Sequence, residues 1–189
     1  MNHLRQVWRF LLGVCLFAVA ACTQLQSGLA VERLRSDLLA GASATQVLTQ
    51  YCAKLKLASP PVIHAVRDQA TEPAPPEVRA LLKAGANETV RYRRVQLMCG
   101  DHVLSVADNW YLPSRLTPEM NKMLDETDTP FGTVVRPLGF HRKTLEATAV
   151  NSPTTILRVR ALLLTSSDAP FSLVVENYSS DLVTSGNSK

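Results

Sequence analysis

The sequence predicts an α+β domain built on an antiparallel sheet. Helical spacing of apolar residues gathers in the N-terminal half of the chain, and strand alternation gathers in the C-terminal half. The strands are separated by hairpin-length turns, at Gly100-Asp101 and at Ser166-Ser167-Asp168-Ala169-Pro170, which favours antiparallel pairing over βαβ crossovers. A chain of 189 residues, 46% of them hydrophobic, suits one globular domain and excludes a disordered or fibrous protein.

The N-terminus follows the plan of a secretory signal. Arg5 and Arg9 form a positive region ahead of the apolar run Phe10 to Ala21. Twelve residues of helix cover about 18 Å, short of a bilayer core of about 30 Å, so the run is too short for a membrane span. It ends in Val19-Ala20-Ala21-Cys22, small residues before a cysteine, which resembles the bacterial lipobox. Residues 1–21 are therefore expected to be removed and Cys22 to be diacylated. Thr23 follows the cysteine where an Asp would signal retention, so the expected location is the bacterial cell envelope, on the periplasmic face of the outer membrane.

Residues 22–30 are polar and read as a tether, 31–183 as the domain, and 184–189 as a frayed tail. Val31, Leu34, Leu38 and Leu39 fit a helix that Gly41 breaks. A second helix starts at Ser43, with Gln46 placed for a capping box and Val47, Leu48, Tyr51, Cys52 and Leu55 on one stripe. Val62 to Arg67 reads as a strand. Pro76 opens a short helix that stops before Gly85, and two strands follow, Thr89 to Cys99 and His102 to Tyr111. Thr117-Pro118-Glu119 opens a helix with Met120, Met123 and Leu124 inward, and Thr127 to Gly132 reads as a turn. Three further strands cover about Leu138 to Val150, Ile156 to Leu164 and Phe171 to Tyr178.

With the signal removed, basic and acidic residues come close to balance and no basic stripe survives, so a nucleic-acid partner is not expected. His64, His102 and His141 stand singly, no Cys-x-x-Cys or His-x-x-x-His occurs, and neither a metal site nor a cofactor is expected. Glycine-rich phosphate loops and a Gly-x-Ser-x-Gly elbow are absent. Cys52 and Cys99 are the remaining thiols of the mature chain. In an oxidising envelope they either form a disulfide or stay as two small buried side chains.

The informative feature is charge on apolar strand faces. Alternation sets Arg93 on the face of Val95, Leu97 and Cys99, and a buried guanidinium requires an anion. Glu176 ends the apolar run Leu173-Val174-Val175, and Arg142 shares a face with Phe140. Arg93 and Glu176 either form a structural ion pair with each other or face a ligand.

These residues sit in stretches that resemble a known family. Tyr92-Arg93-Arg94-Val95-Gln96-Leu97-Met98-Cys99-Gly100 resembles the Arg-bearing strand and turn of chorismate lyase. Trp110-Tyr111-Leu112-Pro113, Thr129-Pro130-Phe131-Gly132, His141-Arg142, the apolar run ending in Glu176, and Ser43-Ala44-Thr45 to Cys52 follow in the family's order, across residues 40–180. The resemblance implies a six-stranded antiparallel sheet with helices enclosing a buried ligand cavity. It implies elimination of pyruvate from chorismate, or a related enolpyruvyl acid, to give 4-hydroxybenzoate without a cofactor. By position, Arg93 would hold a carboxylate and Glu176 would transfer a proton, the two catalytic residues. Arg142 would be a second anion contact, and Phe131 and Ala44 would line the cavity. Ala44 stands where the family has a larger Met, and Phe131 where it has Leu, so the cavity would differ in shape. The alternative is a membrane-tethered envelope module that binds a small aromatic carboxylate without catalysis. A structural lipoprotein with an unused cavity is the third reading.

Overall fold

The computed structural model describes residues 26–41 and 43–183. The expected signal segment, Cys22 and the tail 184–189 lie outside the described residues.

Helix α1 occupies residues 26–40, with Leu34 and Leu38 buried and Leu39 turned to solvent. It takes in residues 26–30, which the sequence suggests as part of a tether. A helix anchored by buried leucines extends through polar neighbours at little further cost, because nucleation is the expensive step. Helix α2 (Ala44–Lys54) buries the expected stripe of Val47, Leu48, Tyr51 and Cys52. Ser43 is its N-cap residue, but its side chain makes no capping bond, so the expected capping box is absent. The hydroxyl instead lies against Gly132, where a β-carbon would come within 2.7 Å of it.

Strand β1 (Ile63–Arg67) precedes the short helix α3 (Pro76–Leu81), which has proline in its first turn, where the missing N–H costs nothing. Strands β2 (Arg91–Cys99) and β3 (His102–Tyr111) form a hairpin whose turn places Gly100 at φ +56°, a left-handed conformation open to glycine. Helix α4 (Pro118–Glu126) is capped by Thr117, whose hydroxyl accepts from the Met120 N–H at 3.2 Å. Met120 and Leu124 point inward, one turn apart. Met123, expected beside them, sits on the flank of that stripe and is 40% exposed. The segment read as a turn ends in a short helix, α5 (Phe131–Val134), formed where burial of Phe131 and Val134 rewards one more helical turn. Strands β4 (His141–Ala149), β5 (Thr155–Leu164) and β6 (Pro170–Ser179) complete the order.

The six strands form one antiparallel sheet in the order β1-β2-β3-β6-β5-β4. One face carries Leu162, Leu164, Leu173, Val175 and Trp110, packed on Val78 and Leu82 of the α3 region. Two apolar clusters share the other face. The first joins α1 and α2 to Val95, Leu97, Ala107, Val159 and Tyr178. The second joins α4 and α5 to Tyr111, Ala161, Leu163, Phe171 and Val174. Cys52 of α2 and Cys99 of β2 form a disulfide, with Cα atoms 6.1 Å apart, so α2 is covalently tied to the strand that carries Arg93.

Candidate functional site

The register of the sheet decides which polar side chains enter the seam between the two clusters. Arg93 on β2 lies opposite Asn109 on β3, and Asn109 lies opposite Val174 on β6. In the adjacent row Val95, Ala107, Glu176 and Val159 follow one another across four strands. Arg142 enters from β4 opposite Leu163. Because the side chains of directly paired residues share a face, these rows place two guanidiniums, a carboxylate and an amide in the apolar interior.

They line a single cavity. Its floor is the sheet, with Val95, Leu97, Ala107, Leu163 and Val174 between the polar groups, and its roof is Ser43-Ala44-Thr45 of α2 and Phe131-Gly132 of α5. Its interior volume is about 40 Å³, small for a site that holds a ring, so a ligand of that size enters only if the lining side chains move apart. Phe131 lies 5.4 Å from the Tyr111 ring and 6.4 Å from the Phe171 ring, and Phe140 meets Phe171 edge-on at 6.0 Å, so one wall is aromatic. The roof is tight because Gly132 lets α5 approach α2. The sequence-derived candidates Arg93, Arg142, Glu176, Phe131 and Ala44 thus come together around one space.

Of the two arrangements the sequence leaves open, the mutual Arg93–Glu176 ion pair does not form. Glu176 instead accepts from the Arg142 guanidinium in an ion pair buried on both sides, and from the Tyr178 hydroxyl at 2.9 Å. Burial alone would pull the Arg142 guanidinium down, but the Glu176 carboxylate and the Tyr178 hydroxyl outweigh it and hold Arg142 above its ordinary value. Burial, reinforced by Glu176, pushes the Tyr178 phenol well up.

Arg93 is 6% exposed and has no carboxylate partner among the described residues. Its one hydrogen bond donates from Nη2 to the Thr129 carbonyl at 3.4 Å. Burial, with the Arg67 charge acting in the same direction, pushes its pKa down to about 10. The Nε atoms of Arg93 and Arg142 and the Nδ2 atom of Asn109 are buried without an acceptor. All three belong to residues lining the cavity, and all three are donors. An apolar chamber with an excess of donors and one uncompensated positive charge is complementary to an anion with a hydrophobic body.

No family model matches the chain. The Uncharacterized protein y4mC of Sinorhizobium fredii (strain NBRC 101917 / NGR234) is 37% identical, over 81% of this chain and 75% of that protein. The chain belongs to the y4mC family. Among solved structures, PhnF from Mycobacterium smegmatis superposes with a TM-score of 0.55 at 11% identity, covering 77% of this chain and 67% of that one. The separately solved effector domain of PhnF gives 0.52 at 11% identity, covering 74% and 90%. At that identity the likeness establishes the fold. It is the α+β, six-stranded antiparallel architecture expected from the sequence, now seen in this y4mC-family chain.

Sequence reasoning passed over Asn109, Tyr178 and Gly132. Asn109 was a polar residue in an apolar alternation beside Ala107 and Tyr111, a signal of the same kind as Arg93. Gly132 was visible only as part of a turn motif, and its role in admitting Ser43 appears once α2 and α5 are packed together.

Proposed function

We propose that this domain binds a small, single-ring carboxylate in the cavity between the sheet and helices α2 and α5. The observation that carries the reading is the Arg93 guanidinium, buried with no counter-ion among the described residues while Glu176 is engaged by Arg142. A carboxylate bound there would supply the missing negative charge and accept from Nε. The ring would lie among Phe131, Phe140, Leu163 and Val174. The PhnF domain that shares this fold is an effector domain, which points the same way.

Binding is favoured over the lyase reaction by the state of Glu176. Proton transfer to a leaving pyruvate would require this carboxylate to part from a buried guanidinium and a tyrosine hydroxyl, and separating a buried ion pair costs several kcal/mol, about 3–5. The lyase reading keeps one argument, that Glu176 and Arg93 face the same chamber. The envelope location, with a lipid on Cys22 as membrane contact, belongs to this proposal too. It is supported by the Cys52–Cys99 disulfide, since disulfides persist in oxidising compartments. Loss of detergent partitioning in Cys22→Ser would be expected, and unchanged partitioning would remove the anchor.

The test is titration of the full-length protein with 4-hydroxybenzoate and with chorismate, monitoring heat and pyruvate release. Saturable binding that Arg93→Ala weakens by about a hundredfold or more is expected, with no pyruvate formed. Pyruvate release from chorismate would establish the lyase instead. If neither acid binds, both readings are rejected.

A further inference from the structure

Besides the two arginine Nε atoms, the cavity lining holds a neutral unsatisfied donor, the Asn109 amide. Asn109 is 4% exposed, and its Oδ1 accepts from the Ser172 hydroxyl. Ser172 is fully buried on the neighbouring strand, so the amide is held in one orientation. That orientation leaves Nδ2 buried, without an acceptor, on a residue that lines the cavity. Asn109 is also the direct cross-strand partner of Arg93, which puts their β-carbons about 5 Å apart on one face.

We propose that Asn109 and Arg93 form one seat for a planar carboxylate, with Arg93 Nε donating to one oxygen and Asn109 Nδ2 to the other. The inference rests on the carboxylate-binding reading above and narrows it to the recognition of the anion's second oxygen. Ser172 acts through Asn109 as a positioning residue: by occupying Oδ1 it fixes which end of the amide faces the ligand. A primary amide, which presents one acceptor and one donor, would meet a donor at both positions and be rejected. The neutral isostere 4-hydroxybenzamide is therefore a poor ligand despite having the shape of 4-hydroxybenzoate.

Asn109→Leu is the discriminating substitution, because it removes the Nδ2 donor without adding charge, and Asn109→Asp tests the placement against Arg93, because it adds charge without changing shape. The new carboxylate keeps an acceptor for Ser172 and stands opposite Arg93, where it supplies the counter-ion from within the protein. The full-length wild type, Asn109→Asp, Asn109→Leu and Arg93→Ala are each titrated with 4-hydroxybenzoate and melted without ligand. Asn109→Asp is expected to weaken binding by about a hundredfold or more and to raise the ligand-free melting temperature. Asn109→Leu is expected to weaken binding roughly tenfold, as loss of one hydrogen bond to a charged group does.

Were Asn109 only a structural partner of Ser172, Asn109→Leu would bind 4-hydroxybenzoate like the wild type, while Asn109→Asp and Arg93→Ala would not. That result overturns the shared seat and leaves the Arg93 reading intact. If the wild type binds no 4-hydroxybenzoate, or Arg93→Ala binds as well as the wild type, the anion reading falls and the seat falls with it. A lower ligand-free melting temperature for Asn109→Asp would by itself overturn the placement of residue 109 against the Arg93 charge.

Discussion

Arg93→Met should make the ligand-free protein more stable, although it removes the most polar contact in the cavity. Among the described residues the wild-type guanidinium, 6% exposed, has no counter-ion and only the 3.4 Å bond to the Thr129 carbonyl. A pKa pushed down to about 10 corresponds to roughly 3 kcal/mol of penalty for holding the charge at neutral pH. Methionine retains most of the apolar stem and fills irregular space. Subtracting about 1 kcal/mol for the lost hydrogen bond leaves a gain of about 2 kcal/mol, or roughly 4–8 °C in melting temperature for a domain of this size. The pH dependence has a definite sign. A base whose folded-state pKa is lowered binds protons more tightly in the unfolded chain, so the wild type gains stability as pH rises above about 10. The advantage of Arg93→Met should thus be constant from pH 6 to 9 and shrink above that. Calorimetric melts of both proteins across this range provide the assay. A variant less stable than the wild type at pH 7, or an advantage that grows above pH 10, would refute the claim that Arg93 is an uncompensated buried charge.

The disulfide spans 47 positions of sequence, and by the chain-entropy relation opening it should cost about 4 kcal/mol. Cys52→Ser/Cys99→Ser should therefore melt roughly 8–16 °C below the wild type, and unchanged melting after reduction would exclude the bridge. Glu176→Gln should destabilise the fold by about 3–5 kcal/mol because it strands the buried Arg142 charge. Arg142→Met/Glu176→Gln should recover much of that loss, and additivity in urea titrations would show that the pair is uncoupled. Gly132→Ala would place a β-carbon 2.7 Å from Ser43 Oγ and should cost about 1–3 kcal/mol while weakening 4-hydroxybenzoate binding. Ser43→Gly in the same background should relieve both effects.

The sheet was readable because strand alternation and hairpin turns are local signals. Arg93 was readable as a buried charge for the same reason. Its surroundings were not, because they depend on a β-bulge. Cys99 pairs with His102 at the turn, and simple hairpin counting from there would set Arg93 opposite Asp108 on the inner face. The ladder shifts between Leu97 and Met98, whose partners are Ser105 and Val103, so Leu104 is the extra residue. That shift turns Asp108 outward, where it accepts from Arg94 at 3.1 Å and from the Tyr92 hydroxyl at 2.6 Å. It brings neutral Asn109 inward in its place. One inserted residue decides whether Arg93 meets a carboxylate of its own chain. The Arg142–Glu176 pair was equally beyond reach, since it joins β4 to β6 across β5 and so depends on the order of strands in the sheet.

The position of the cavity explains how the fold tolerates donors without acceptors. A buried unpaired donor costs about 1–3 kcal/mol, and a charged one more, so three in one chamber would endanger a domain of marginal stability. Here they lie at the seam between two apolar clusters, each with its own helices and its own contact with the sheet. The cluster under α1 and α2 is further held by the Cys52–Cys99 bond, and the one under α4 and α5 by the Tyr111, Phe131, Phe140 and Phe171 rings. The burden therefore falls between two units that are stable for other reasons, and the roof of the site cannot relax by moving α2 away from β2. A ligand that satisfies the donors would recover their cost and bind only the folded state. Its stabilisation should grow by about 1.4 kcal/mol for each tenfold excess over its dissociation constant. The larger the penalty measured for Arg93 in the empty protein, the more of it a carboxylate ligand can return as affinity.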